Sequence, residues 1–361
     1  MQAVILAGGQ GTRLFPLTLH TPKPLIPIVG RPLLAHLIPH LVSQGIDEVF
    51  VTSGYLGEVV RTALAARSWG IPVHMWREAV PRGTAGAVRD LLPRLHPPFL
   101  VVSGDVVTGL DLAALLAAHR RAGASATLAV MPAVDRLRFG VVEMDGGRIT
   151  RFTEKPGINE LVPGLHLNSG VYVLEGEALA GVARDRPADF ARDTFPQLLA
   201  GGHRLAAAAT LRFWRDVGTG ESFRDAHFEA LNGEWPWETP DLGAPASVGP
   251  GVRIEGRVGF GRDVSLGTGS RIHGPAYLGD GVRLAPGSEV TRSVLLPRSG
   301  SAGPCLLQDT VVDAGVRVPS GAAVSGALLG RLAPVAAARP ARHRLHPVPR
   351  GSHVRAGHAV P

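Results

Sequence analysis

The chain has 361 residues, 45% of them hydrophobic and only 5% aromatic, with 46 Gly and 30 Pro. That is a globular composition, long enough for one large domain and a smaller one. No apolar run nears membrane-spanning length, Met1 leads straight into a strand pattern without a leader-like segment, and the single Cys305 excludes a disulfide framework and fits a reducing cytoplasm. The net charge of +7 does not mark a nucleic-acid binder, because Arg331, Arg339, Arg342, Arg344, Arg350 and Arg355 lie in a terminal stretch that holds no Lys and no acid. The rest of the chain is close to neutral, and residues 331–361 read as a solvated, disordered basic tail.

In chain order, apolar runs rich in Val, Ile and Leu fall at 2–6, 48–53, 71–76, 99–103 and 125–131. Between them lie amphipathic stretches such as "PLLAHLIPHLVSQG", "GEVVRTALAARSWG", "GTAGAVRDLLPRL" and "DLAALLAAHRRAG", several of which end in Gly as helices tend to. This strand–helix rhythm predicts an α/β fold with a Rossmann-like, mostly parallel sheet covered by helices on both faces. "FGVVEMDGGRITRFTEKP" reads as a hairpin turning at Asp145, Gly146 and Gly147, "LHLNSGVYVL" as a strand, and "FARDTFPQLLAGG" and "TGESFRDAHFEALNG" as helices. The expected boundaries are a catalytic domain at 1–232 and a linker at 233–247, where "GEWPWETPDLGAPAS" has no usable period.

Beyond the linker a six-residue repeat begins. Ile254, Phe260, Leu266, Ile272, Leu278, Leu284, Val290 and Leu296 are spaced by six, and after an insert "PRSGSAGP" the phase resumes at Leu306, Val312, Val318 and Val324. Such a period predicts a left-handed parallel β-helix over 248–330. His273 is the one histidine on the coil, with no evident acidic or basic companion, so the coil reads as a packing and oligomerisation module and not as a second catalytic domain.

The chemistry concentrates in the opening "GGQGTRLFPLTLHTPKPL". Gly8, Gly9 and Gly11 follow the carboxyl end of the first strand, where open α/β sheets bind ligands, and bare backbone there can cradle phosphate oxygens. Arg13 can fork onto a di- or triphosphate, and Lys23, between Pro22 and Pro24, is expected in an extended segment within reach of the reacting phosphate. Only two of the 37 cationic residues are lysines, Lys23 and Lys155, and both precede a proline. Each place calls for a compact ammonium and not a guanidinium fork. Asp105 closes the strand "PFLVVSGD" and Asp216 sits in "WRDVGT"; two hard carboxylates of this kind suit Mg²⁺ alongside phosphates.

The segment "LAGGQGTRLFPLTLHTPKPLIPIVGRP" resembles the signature of the sugar-1-phosphate nucleotidylyltransferases. The likeness continues through "GTAGAV", "VVSGDVVTGLDL", "RFTEKPG", "LNSGVYVL" and "FWRDVGTGESF", covers essentially all of 1–232, and is greatest for mannose-1-phosphate guanylyltransferases. It implies attack of a sugar 1-phosphate on the α-phosphorus of a nucleoside triphosphate, GTP and mannose 1-phosphate being favoured, with loss of pyrophosphate. The resemblance makes Arg13 and Lys23 the catalytic cations and Gly8, Gly9, Gly11 and Thr12 the nucleotide loop. Glu78 and Gly83 fall in the segment that reads the base; a carboxylate at 78 accepts from guanine N–H groups, which thymine cannot offer in the same pattern. Lys155 would hold the sugar phosphate and Glu154 the sugar hydroxyls, with Asn168, Gly140 and Gly170 completing the pocket; Asp105 and Asp216 would hold Mg²⁺. Alternatives are dTTP with glucose 1-phosphate, GTP with a heptose 1-phosphate, or a non-catalytic nucleotide-sugar sensor. Neither a nucleic acid nor a membrane is expected as a partner; a homo-oligomer through the β-helix is.

Overall fold

The computed structural model describes residues 1–132, 139–160 and 163–330. The expected disordered tail lies outside the described residues.

The first two-thirds of the chain is built on a nine-stranded sheet. Its strands are β1 (Gln2–Leu6), β4 (Glu48–Ser53), β5 (Val73–Arg77), β6 (Phe99–Ser103), β8 (Ala126–Pro132), β9 (Val141–Asp145), β10 (Arg148–Thr153), β11 (His166–Leu174) and β12 (Leu205–Ala208). Two short strands, β2 (Pro27–Ile28) and β3 (Arg31–Pro32), form a separate hairpin, and β7 (Val106–Leu110) pairs with β13 (Leu211–Asp216) in a ribbon of its own. The order across the large sheet is β5-β4-β1-β6-β11-β8-β12-β10-β9. Side chains alternate across it: Ala3, Ile5, Leu100 and Val102 enter one apolar cluster and Val4, Phe50 and Val101 the other. Helices α1 (Leu33–Ser43), α2 (Gly57–Ala65), α4 (Leu112–Ala122) and α6 (Gly220–Asn232) cover the first face, and α3 (Gly83–Leu91) with α5 (Phe195–Ala200) the second.

The expectation of a mostly parallel sheet needs correction: the sheet is mixed. β5, β4, β1 and β6 run parallel, as do β8 and β12, but β11 is antiparallel to both neighbours and β10 to both of its own. A helical crossover returns the chain in the same direction, and that rule holds only as far as β8. After β8 the chain makes the β9–β10 hairpin instead, whose Gly146 and Gly147 (φ 54° and 85°) suit the left-handed turn, and comes back reversed as β11 between β6 and β8.

Residues 247–329 form three five-stranded parallel sheets to which the chain contributes strands in rotation. Ile254 pairs with Ile272 and that with Val290, and the column continues through Leu307 and Val324. Another column runs Phe260, Leu278, Leu295, Val312, Leu329. The partners are eighteen residues apart at first and seventeen after residue 290, so a strict six-residue count loses register there. Three expected core positions are corrected: Ile254, on the uncovered first turn, is 42% exposed, and the other two follow from the register. Leu296 packs instead with the catalytic-domain core, and Leu306 is 42% exposed, while Leu295 and Leu307 fill the axis. "PRSGSAGP" is no insert: Gly300 and Ser301 are a coil strand, and Ser301 occupies a core slot by accepting from the Ala285 amide at 2.8 Å.

The face of the coil carrying Tyr277, Val294 and Val311 joins the same apolar cluster as α1 and α6. Trp235 and Trp237, in the stretch expected as a linker, are buried in that cluster, and the Trp237 indole donates to the Thr108 carbonyl at 2.8 Å.

Candidate active site

β1, β4, β5 and β6 are parallel, so their carboxyl ends share one rim, and the loops leaving that rim hold the candidate residues. The loop after β1 is drawn in by its neighbours: Ala7 donates to the Thr52 carbonyl at 3.1 Å, and the Thr18 hydroxyl to the Gly11 carbonyl at 2.9 Å. Gly11 has φ 64°, and a Cβ there would also lie 3.3 Å from Lys23 Cβ. Thr12 and Arg13 open a short 3₁₀ turn directly after it. Among the described residues, the amides of Gly9, Gln10 and Gly11 donate to no protein acceptor. Unpaired amides in sequence of this kind can receive an anion.

Lys23 is not in an extended segment. Pro22 is extended, and Lys23 begins a 3₁₀ turn over Lys23–Leu25. Its side chain is buried, and its ammonium contacts Asp105 and lies 3.6 Å from Asp216 Oδ1. Arg13 reaches to 3.9 Å from Asp216 Oδ2 while its side chain stays 58% exposed, facing outward. Burial and the neighbouring Asp105 charge push the Asp216 carboxyl above the usual carboxylate range, against the pull of Lys23 and Arg13. Asp216 draws nothing from Arg215, because adjacent strand residues point to opposite faces; Arg215 pairs with Glu229.

The two acids meet because of the β7–β13 ribbon. Asp216 is registered against Val106, one residue past Asp105, and the Val217 amide donates to the Asp105 carbonyl at 3.0 Å. Gly104 is pressed against β1, its amide 2.8 Å from the Leu6 carbonyl. Gly218 was missed by sequence reasoning. A Cβ there would sit 2.3 Å from Asp216 Oδ2 and 2.9 Å from Arg13 Nη2, so glycine keeps that pair accessible.

Glu78 follows β5 on the same rim. Its Oε1 lies where a Cβ on Gly8 would be, 2.7 Å away, and its Oε2 accepts from the Arg82 amide at 3.1 Å. Burial raises the Glu78 pKa, partly offset by that amide. Arg77 pairs with Glu58 instead. Gly83 has φ 72° and stands against the Ala188 carbonyl, which also accepts from the Ala85 and Gly86 amides; the start of α3 is thereby capped by protein.

A second cluster forms beside this one. Gly140, Glu154 and Asn168 converge: a Cβ on Gly140 would meet Glu154 Oε2 at 2.6 Å and Asn168 Nδ2 at 3.5 Å, and the Asn168 amide donates to the Gly140 carbonyl at 2.8 Å. Burial raises the Glu154 pKa, with Lys155 pulling the other way. Lys155 takes φ 50° just after β10. Gly170, at φ 76°, approaches the Ser103 hydroxyl, so this cluster adjoins the strand that leads into Asp105. Trp214, another residue that sequence reasoning passed over, donates to the Ser169 carbonyl at 2.8 Å and packs edge-on against Phe139. Arg13, Lys23, Asp105 and Asp216 are thus joined by direct ion pairs. Lys155 belongs to the neighbouring cluster and touches none of them.

On the coil, His273 has companions after all. Glu255 lies 3.2 Å from its Nδ1 and Glu289 4.0 Å from its Nε2, because each turn of the coil stacks residues far apart in sequence.

A glycine-rich loop with free amides at a sheet rim stands beside two cations and two acids, and the chain belongs to the nucleotidyl transferase family, whose model matches residues 2–233. It is 33% identical over 291 residues to the mannose-1-phosphate guanylyltransferase of Mycobacterium tuberculosis, covering 72% of this chain and 80% of that one. It is 34% identical to the zebrafish (Danio rerio) mannose-1-phosphate guanylyltransferase catalytic subunit beta and 36% to Arabidopsis thaliana mannose-1-phosphate guanylyltransferase 1, spanning about three-fifths of each (62% and 61%). Among solved structures, HddC from Yersinia pseudotuberculosis superposes with a TM-score of 0.55 at 25% identity, over 63% of this chain and 97% of that one.

Proposed function

We propose that the protein transfers a guanylyl group from GTP to mannose 1-phosphate, releasing GDP-mannose and pyrophosphate. A sugar-phosphate oxygen forms a bond to the α-phosphorus, and the bond from that phosphorus to the bridging oxygen of the β-phosphate breaks. The observation that carries the reading is the buried Lys23 ammonium set between Asp105 and Asp216 at the mouth of the β1 loop.

The free amides of the loop receive the triphosphate, Arg13 attends its outer face, and Lys23 stabilises charge on the departing pyrophosphate. The two acids fit a metal. They are hard oxygen donors side by side, and among the described residues no larger His, Cys or acidic group competes for one. Two carboxylates plus phosphates is the set that Mg²⁺ takes. Asp105 and Asp216 would hold Mg²⁺, which when bound supplies neutralisation of the gathered phosphate charge. Glu78 would accept from the guanine edge, and Glu154 and Asn168 from and to the sugar hydroxyls, with Lys155 at the sugar phosphate. The names of the relatives support GTP and mannose 1-phosphate over the alternatives.

The proposal extends to organisation. The catalytic domain is taken to end near residue 232 and 233–247 to connect it to a left-handed parallel β-helix over 248–330, a reading the rotating strands support. That helix joins copies of the chain: Val248 and Ile254 are exposed on its first turn, where strand edges are unpaired. Cytoplasmic location is favoured by the lone buried cysteine, and among the described residues no helix is long and apolar enough to cross a membrane.

A panel of GTP, dTTP, UTP and ATP against mannose and glucose 1-phosphates, scored by pyrophosphate release with and without Mg²⁺, tests the reading. GTP with mannose 1-phosphate should give the highest kcat/KM, and only with the metal. Preference for dTTP would remove the role given to Glu78; full turnover by Asp105→Asn would remove the metal assignment.

A further inference from the structure

A recess of about 570 Å³ on another part of the catalytic domain is lined by Arg121, Arg148 and Arg204 and by no carboxylate. Three elements bring the arginines together. Arg121 ends α4, Arg148 begins β10, and Arg204 precedes β12, with Arg148 registered against Ala206. β6 and β8 are both antiparallel to β11, and β12 is parallel to β8, so Arg204 stands at the rim opposite the one that carries Asp105.

The chain neutralises some of its arginines. Arg61, Arg89, Arg215, Arg224, Arg262 and Arg292 each have an acidic partner. Among the described residues, Arg121 and Arg148 have none within 4 Å. Arg204 gives one N–H to the Ala122 carbonyl at 2.8 Å, which steadies the end of α4 and leaves the rest of its fork for another acceptor. The floor is alanine and glycine, so an anion can come close to the main chain. The volume is that of a small-molecule site, not of a track for a long polymer.

We infer that this recess binds a phosphorylated small molecule carrying at least two negative charges, at a site distinct from the nucleotide and sugar-phosphate pockets. Planar guanidinium forks match phosphate oxygens two at a time, and three arginines line this one recess, while the nearest acid by register, Asp145 opposite Arg148, lies outside its wall.

The test is calorimetric titration of the full chain with tripolyphosphate at low salt. The wild type is compared with Arg121→Ser/Arg148→Ser, with the milder Arg148→Gln, and with Lys23→Ala. The terminal arginines are common to all, so differences report the recess. The double variant should lose one class of sites, weakened roughly a hundredfold, and Arg148→Gln should show an intermediate loss. Lys23→Ala should keep that class, and the double variant should keep wild-type turnover, which certifies its fold. Identical isotherms for the wild type and both recess variants would overturn the inference. So would a result in which the recess arginines matter only for a duplex DNA probe, since that would assign the face to nucleic acid.

Discussion

At the scale of single residues, three glycines share one task. A Cβ on Gly8 would strike Glu78, on Gly140 Glu154, and on Gly218 Asp216, each within 2.7 Å of a carboxylate oxygen. At Gly8 and Gly140 the obstacle is the end of a Glu side chain, and at Gly218 it is the ion-paired Asp216 carboxylate, in no case backbone. Gly218→Ala should therefore lower the melting temperature only modestly and kcat roughly 10²-fold, because it displaces the proposed metal carboxylate and Arg13 together. Thermal unfolding and steady-state kinetics on one preparation separate the two effects, and a loss of stability with kcat intact would refute this account. Gly83 is different, since a side chain there meets the rigid Ala188 backbone at 2.4 Å, and its replacement should damage the fold itself.

Asp216 carries a second prediction. Burial and Asp105 raise its pKa, so the folded protein holds this proton more tightly than the unfolded chain does. Its contribution to stability therefore falls as pH rises above the ordinary carboxylate range. Asp216→Asn, which resembles the protonated form, should be at least as stable as the wild type at pH 7, yet lose roughly 10²–10³ in kcat. Denaturant titrations at pH 4 and pH 7 check the sign: the gain should be larger at pH 7.

At the scale of elements, the coil shows how far a period can be trusted. Leu306 and Leu307 are neighbours in sequence, yet one is 42% exposed and the other fully buried. Leu307→Ala should cost about 2–5 kcal/mol, as buried leucines do, and Leu306→Ala under about 0.5 kcal/mol. Urea unfolding of the two variants discriminates the registers, and equal losses would mean the six-residue count was right. The β7–β13 ribbon teaches a related lesson. "VVTGL" opens on three β-branched residues that suit a strand, but only its pairing with "LRFWRD" shows that it leaves the large sheet for a ribbon of its own.

At the scale of the whole molecule, the catalytic domain and the coil are joined across a junction of neutral imidazoles. His36 stacks 5.8 Å from Trp237 and meets Trp235 edge-on at 5.4 Å, and His227 packs 5.3 Å from Tyr277 of the coil. Burial lowers His36, His40 and His227 from 6.5 to about 4, with Arg31 and Arg67 adding to the effect at His36 and His36 itself at His227. Between those values the unfolded chain binds protons that the folded one refuses. The stability these groups contribute is complete above pH 6.5 and drains away as the pH falls towards 4, by up to about 1.4 kcal/mol per pH unit for each imidazole. Denaturant titrations at pH 7, 6 and 5 should show the decline, and His227→Phe should flatten it. An unchanged slope in that variant would contradict a neutral His227.

Many of the candidate residues were legible in the one-dimensional chain. Glycines after an apolar strand, a lysine between prolines and aspartates at strand ends are local facts, and backbone freedom and charge type depend on local identity. The first five strands of the large sheet in chain order, up to β8, and the helices between them were legible for the same reason, since periods of 2 and 3.6 write burial into neighbouring residues, while the short β2, β3 and β7 were not. Distance across the fold was not. That β11 slips in reversed between β6 and β8, that Asp216 lands beside Asp105, that Gly218 stands over the pair and that His273 meets Glu255 all follow from pairings between remote segments. Those pairings are set by packing and strand register, and only the folded chain expresses them.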